Sequence, residues 1–384
     1  MFRSFFFAGF EGATGYNRHG EWIDQIAATH HDMHADEDYR RLAEVGIFAA
    51  REAIRWPLVD RRGRYDFSTV RPFVEASRRY RIDVIWDLFH YGYPGDVDLF
   101  SETFPERFAD YCHAAARYIC TTLGGPCYFT PINEPSYFAW AAGEAGRFAP
   151  HERGRGPELK YALARAAIAG INAIRDAVPS ARIVNVDPIC HVVPPIARPD
   201  LAEACREFNE RAVFESWDML AGNLHPELGG SRDHLDIVGI NYYWTNQWEL
   251  GAENAPLAHE DPRRAPLTEL IERVWQRYGG ELLITETAHV HDMRPRWLNY
   301  VAASAETLLD LGVPLRGVCL YPILGMPEWH SRSEWVRMGL WDIIHDHPAL
   351  GRELCAPMWE ALRKAQRLEN RHLAHLAAMP RPAA

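Results

Sequence analysis

Lysine is almost missing from this 384-residue chain: of its 41 basic residues only Lys160 and Lys364 are lysines, and the arginines are interspersed with acids. No basic stripe results, and with a formal net charge of −11 the composition argues against a nucleic-acid partner. The lysine deficit itself reads as a skew of genomic base composition, and no function is read into it. Paired cysteines are also missing. Cys112, Cys120, Cys127, Cys190, Cys205, Cys319 and Cys355 are odd in number and form no Cys-x-x-Cys, which disfavours a disulfide framework and a zinc knuckle. Most are expected to be small buried hydrophobes in a reducing compartment. No apolar run reaches the roughly 20 residues that span a bilayer. The apolar start, Met1 to Phe10, is too short for a signal peptide and reads as a strand. A cytoplasmic protein with no membrane contact is the expectation.

What is present is a regular succession of short apolar runs, at 4–10, 46–50, 82–88, 127–132, 182–187, 235–241, 281–285 and 316–321. Each reads as a buried strand. Stretches of helical spacing separate them: one from about 36 to 45, which Asp36 can cap, and others at about 104–122, 158–178, 200–221, 295–311 and 349–366. Strict alternation implies parallel strands with right-handed crossovers. Eight units predict one closed (β/α)8 barrel, an α/β fold, over residues 1–370, with a flexible tail at 371–384. An open doubly wound sheet is the rival, but no glycine-rich phosphate loop follows the first strand. The stretches 190–200 and 246–266 read as long loops, which in a barrel build the rim of the active site.

Two glutamates close such runs: Glu134 in Thr130-Pro131-Ile132-Asn133-Glu134-Pro135, and Glu286 in Leu282-Leu283-Ile284-Thr285-Glu286. They lie roughly half a barrel apart. Two carboxylates facing each other across a cavity are what glycosidic cleavage requires. One carries a proton to the leaving oxygen while the other stays ionised to meet charge developing at the sugar carbon.

With these residues in place, the chain resembles glycoside hydrolase family 1, the β-glucosidase-like members of the clan A barrels. Asn133-Glu134-Pro135 is similar to the family's motif after strand four, and the resemblance implies Glu134 as general acid/base, with Asn133 bonding the sugar 2-hydroxyl. Ile284-Thr285-Glu286 is similar to strand seven and implies Glu286 as nucleophile. Arg51-Glu52-Ala53-Ile54-Arg55-Trp56 resembles the strand-two pattern whose arginine pairs with the nucleophile, and Gly239-Ile240-Asn241-Tyr242-Tyr243 the strand-six pattern in which Tyr243 donates to it. His90, in Leu88-Phe89-His90-Tyr91-Gly92-Tyr93-Pro94, would bind sugar, as would Glu328 and Trp329 in the segment from Leu320 to Trp329.

Departures from the family bear on the substrate. Either Glu11 or Asn17 stands for the family's strand-one glutamine, Tyr321 replaces a tryptophan platform, Thr287-Ala288 an Asn-Gly, and Gly325-Met326 an Asp-Asn. The chain is also shorter than typical members. The implied activity is a retaining β-glycosidase using no metal or organic cofactor, with its carboxyls about 5 to 5.5 Å apart and a glycoside as its partner. A transglycosidase using the same residues and a non-catalytic carbohydrate-binding barrel are the alternatives. Oligomeric state has no signature. The cluster His30, His31, Asp32, His34 and Asp36 reads as loop before the first helix and not as a metal site. His289, His291 and Asp292 are candidates for touching an aglycone, and Trp140, Trp244, Trp329 and Trp341 for lining a sugar cleft.

Overall fold

In the computed structural model, which describes residues 2–252, 255–346, 350–369 and 371, eight parallel strands close into a ring: β1 (Phe6–Gly9), β2 (Ala49–Ala53), β3 (Asp83–Asp87), β4 (Tyr128–Thr130), β5 (Arg182–Pro188), β6 (Ile237–Asn241), β7 (Glu281–Thr287) and β8 (Leu315–Leu320). The seam is the β1–β8 pairing, Phe6 opposite Val318. The expected closed (β/α)8 barrel is the observed fold. Around it run α1 (His31–Glu44), α2 (Arg71–Tyr80), α3 (Phe104–Leu123), α4 (Gly156–Ala177), α5 (Ala202–Glu210), α6 (Leu267–Tyr278), α7 (Arg294–Asp310) and α8 (Ala356–Ala365).

Strand alternation sends successive side chains to opposite faces, and this divides the core in two. Phe7, Ala49, Ile85, Val184, Val186, Leu283 and Cys319 fill the barrel interior. Their neighbours Phe6, Ala8, Ala50, Val84, Leu282 and Val318 pack outward on the helices. Polar residues of the same strands close the upper end of the interior, so the apolar plug forms the floor of a site.

Four expectations are corrected. Asp36 is no cap: α1 starts at His31, after His30 in the left-handed region (φ 54°), and Asp36 lies inside the helix, 2.6 Å from Arg79. Of the cluster expected as loop, His31, Asp32 and Asp36 lie in the helix, His34 sits at a kink within it (φ −112°, ψ 18°), and His30 precedes it. Residues 349–366 are not one helix, because Gly351–Leu354 pairs as a strand with Trp341–Ile344 before α8 begins. Cys120 and Cys127 are joined as a disulfide, while Cys112, Cys205 and Cys319 are free and buried. The tail expected from 371 lies outside the described residues except for Arg371, which ion-pairs with Glu306 and Asp310.

Candidate active site

The upper ends of the strands open into a cavity of about 690 Å3 lined by Glu11, His90, Glu134, Tyr243, Glu286, Glu328 and Trp329, among others. Glu286, near the end of β7, points into the barrel and takes hydrogen bonds from Arg51 (2.8 Å) and the Tyr243 hydroxyl (2.8 Å). Arg51 is wholly buried on β2 and also bonds Asp87 (2.7 Å), the Asn133 side-chain oxygen (3.0 Å) and the Thr285 carbonyl (2.9 Å). It is a junction between β2, β3, β4 and β7. Burial pushes Asp87 up, but Arg51 and His90 outweigh it and hold this carboxyl below its ordinary value.

Glu134 has different surroundings. It sits past β4 in the left-handed region (φ 47°), fixed by its N–H on the Val186 carbonyl (3.0 Å) and its own carbonyl taking the Phe138 N–H (2.9 Å). A bulky residue held there carries backbone strain of the kind that gathers at functional positions. Its carboxyl accepts from the Tyr91 hydroxyl (2.6 Å) and the Asn241 amide (2.9 Å), and it makes no ion pair among the described residues. Burial and the charge of Glu286 push it up to about 8, against the two hydrogen bonds that favour the anion. At neutral pH one carboxyl is protonated while its partner is ion-paired.

At the other side of the cavity Glu11 lies 3.6 Å from His90 Nε2 and takes the Ala13 N–H (2.8 Å). Burial raises Glu11 to about 7, with His90 opposing. His90 bonds Asp87 (3.2 Å) and Asn133 (3.2 Å). Of the two candidates near β1, Glu11 faces the cavity. Asn17 braces the rim instead, its amide donating to the Trp329 carbonyl (3.0 Å). Glu328 accepts from the His330 N–H (2.6 Å), and Trp329 packs on Tyr91 and Phe148. The buried Trp329 Nε1–H finds no acceptor among the described residues.

Arg51, Asn133 and Tyr321 stand behind the cavity wall and not on it. The polar atoms of Asn133 are committed to Arg51 and His90. Tyr321 is enclosed, stacked parallel to His90 at 5.9 Å under the Arg51 guanidinium, and its hydroxyl takes the Gly12 N–H (3.1 Å). The ring fits only because Gly9 is beside it: a Cβ there would stand 1.9 Å from the tyrosine. His289, His291 and Asp292 do not line the cavity, and His289 instead stacks behind Trp244 at 4.4 Å. Of the four tryptophans singled out, Trp140, Trp244 and Trp329 line it, while Trp341 pairs with Leu354 in the core. Sequence reasoning missed Asp87, Tyr91 and Asn241 as partners of the carboxylate machinery. Each lies within a quoted strand motif or beside one, which was the available signal. Among the described residues no group of three or more His, Cys, Asp or Glu is arranged to hold a metal ion, and no helix is long and apolar enough to cross a membrane.

Fold and site together define a (β/α)8 barrel with two unlike carboxylates at its carboxyl end. By sequence, no family model and no curated protein matches this chain. By structure it is similar to the family 1 β-glucosidase from Thermotoga maritima in complex with isofagomine lactam, with a TM-score of 0.74 and 17% identity over 95% of this chain and 98% of that one. The same enzyme with noeuromycin gives 0.73 at 17% identity and equal coverage, and with galacto-hydroximolactam 0.72. At this identity the likeness is one of fold.

Proposed function

We propose that this chain is a retaining β-glycosidase of the family 1 type, cleaving β-linked glycosides by double displacement. The observation that carries the reading is the unlike pair: Glu286 bonded to Arg51 and Tyr243, and Glu134 with no ion pair among the described residues and raised to about 8. In the first step a Glu286 oxygen bonds to the anomeric carbon as the bond to the aglycone oxygen breaks, and Glu134 gives that oxygen its proton. The ester removes the negative charge of Glu286, so Glu134 falls in pKa and becomes a base. It then takes a proton from water, whose oxygen displaces Glu286 from the anomeric carbon. The released sugar keeps its β configuration.

Glu11, His90, Glu328 and Trp329 provide the polar groups for the sugar hydroxyls, and the unpartnered Trp329 Nε1–H is a donor awaiting such a hydroxyl. Asn133 and Tyr321 act by holding Arg51 and His90. Direct contact between Asn133 and the 2-hydroxyl belongs to the family resemblance alone. The test is hydrolysis of aryl β-glucoside, galactoside, mannoside, fucoside and xyloside, with the product anomer followed by NMR. One substrate should turn over with retention, and Glu286→Ala should lower its rate by about a thousandfold or more. Inversion, or an unimpaired variant, refutes the mechanism. Added alcohols measure transfer against hydrolysis, since the same two residues serve both.

A further inference from the structure

The cavity extends well past the carboxylate pair. One flank is a parallel two-stranded ribbon, His191–Val193 with Gln247–Glu249, in which Val192 stands opposite Trp248. Helix α5 is clamped on this ribbon by Asn209, which bonds both the N–H and the carbonyl of Val192 at 2.9 Å. The clamp brings Phe208 edge-on to Trp248 at 5.9 Å. Val192, Phe208, Val213, Trp248 and Leu250 thus form one apolar wall of the cavity that holds Glu134 and Glu286. Met326, Val336 and Met338 face the cavity from the loop after β8.

Several polar groups in this wing are held within the protein. The Ser136 hydroxyl donates to Asp187 (2.6 Å) and Lys160 to Glu215 (2.8 Å). The Asn246 amide donates to the Ile189 and Asn241 carbonyls (2.9 and 3.2 Å), while its oxygen takes the Tyr243 N–H (3.3 Å). Arg147 lies over the Trp140 ring at 4.5 Å, and Thr245 is at the exposed rim. A second sugar seated against the wall of Val192, Phe208, Val213, Trp248 and Leu250 would bury hydroxyls on mainly hydrocarbon surface, a costly arrangement. An apolar ring system loses nothing by the same burial. The total volume suits a drug-sized molecule, of which a pyranose is the smaller part.

On the glycosidase reading above, we infer that the substrate is a β-glycoside of an apolar, ring-containing alcohol of about two fused rings, and not an oligosaccharide. The aglycone lies between the Phe208–Trp248 wall and the methionine face, with its glycosidic oxygen at Glu134.

Three substrates sharing the preferred sugar test this: the 2-naphthylmethyl β-glycoside, the β-1,4-linked disaccharide and the glycosyl fluoride. The first two both leave as alkanols, and the fluoride leaves the wing empty. The naphthylmethyl glycoside should exceed the disaccharide at least tenfold in kcat/KM. Trp248→Ala and Phe208→Ala should each lower the naphthylmethyl-to-fluoride ratio at least tenfold, mainly through KM. A disaccharide preference, or a ratio that neither variant moves, overturns the inference while the fluoride's turnover leaves the glycosidase reading standing. If not even the fluoride reacts, that reading fails, and calorimetry with free 2-naphthol judges the wing alone. Binding that Trp248→Ala weakens tenfold supports an apolar ligand site, and absence of heat of binding refutes it.

Discussion

The hydroxyl of Tyr91 reaches Glu134 at 2.6 Å, and that bond trims the pKa that burial and Glu286 raise. It favours the carboxylate, so it opposes the rise that burial and Glu286 produce. A general acid must be protonated, and activity is therefore lost as pH climbs through its pKa, about 8 here. Tyr91→Phe removes a brake on protonation, and the alkaline limb of kcat/KM should move to higher pH. Asn241→Ala should move it the same way, while a purely structural loss would lower the profile without shifting it. Glu134 and Glu286 were legible in the sequence because each ends an apolar run, where a barrel keeps its chemistry, and Arg51 and Tyr243 only because their segments resemble family motifs. Tyr91 and Asp87 were not. An aromatic or an acid at a strand end fits packing or solvation equally well, and only the register that sets Asp87 beside Thr130 and Ala53 shows what each faces.

At the scale of elements, β2 works on both faces. Arg51 points inward to the carboxylates, and Glu52, next in line, points outward to His31 (3.0 Å) and Tyr39 (3.1 Å) on α1. His31 also bonds Asp38 (2.9 Å), which Arg352 grips from the strand Gly351–Leu354 before α8. Burial alone would push His31 down, but Glu52 and Asp38 outweigh it and raise the imidazole to about 9. Its stabilising contribution is therefore complete below the unfolded value near 6.5 and is lost as pH rises to about 9. For Asp38, burial is outweighed by His31 and Arg352, and the carboxyl is lowered to about 2. That contribution is present above an unfolded value near 3.9 and disappears as pH falls through about 2. Thermal melts across pH should show Tm declining between about 6.5 and 9, and His31→Gln should flatten that decline while lowering the plateau by several degrees.

None of this network could be read from the histidine-rich stretch, whose partners lie on β2 and near residue 352. The paired strands Trp341–Ile344 and Gly351–Leu354 and the ribbon of the apolar wing were hidden for a related reason. Strands of three or four residues carry too little periodicity to be told from loop or from the helix that follows. The eight barrel strands were legible because burial on both faces makes each a near-continuous apolar run.

For the molecule as a whole, the ring has to be closed by its last-made parts. β1 pairs with β8, and Glu369 reaches under the barrel to take the N–H groups of Phe5 (2.7 Å) and Phe6 (3.2 Å). Glu369→Ala leaves those donors at the bottom of the barrel without their acceptor. It should cost about 1–3 kcal/mol and lower Tm by a few degrees, with kcat unchanged because the site is at the opposite end.

The grip of Arg352 on Asp38 spans 314 residues of chain. On a ribosome adding roughly 5–20 residues per second, the arginine arrives about 15–60 s after its acid. Until β8 emerges, shortly before that arginine, β1 has no β8 to pair with, and Asp38 has only His31 and Arg41 of its own helix as partners. The emerging protein is an open sheet with a bare edge, held in that state by the timetable of its own translation, and chaperone demand should peak during synthesis and not after release.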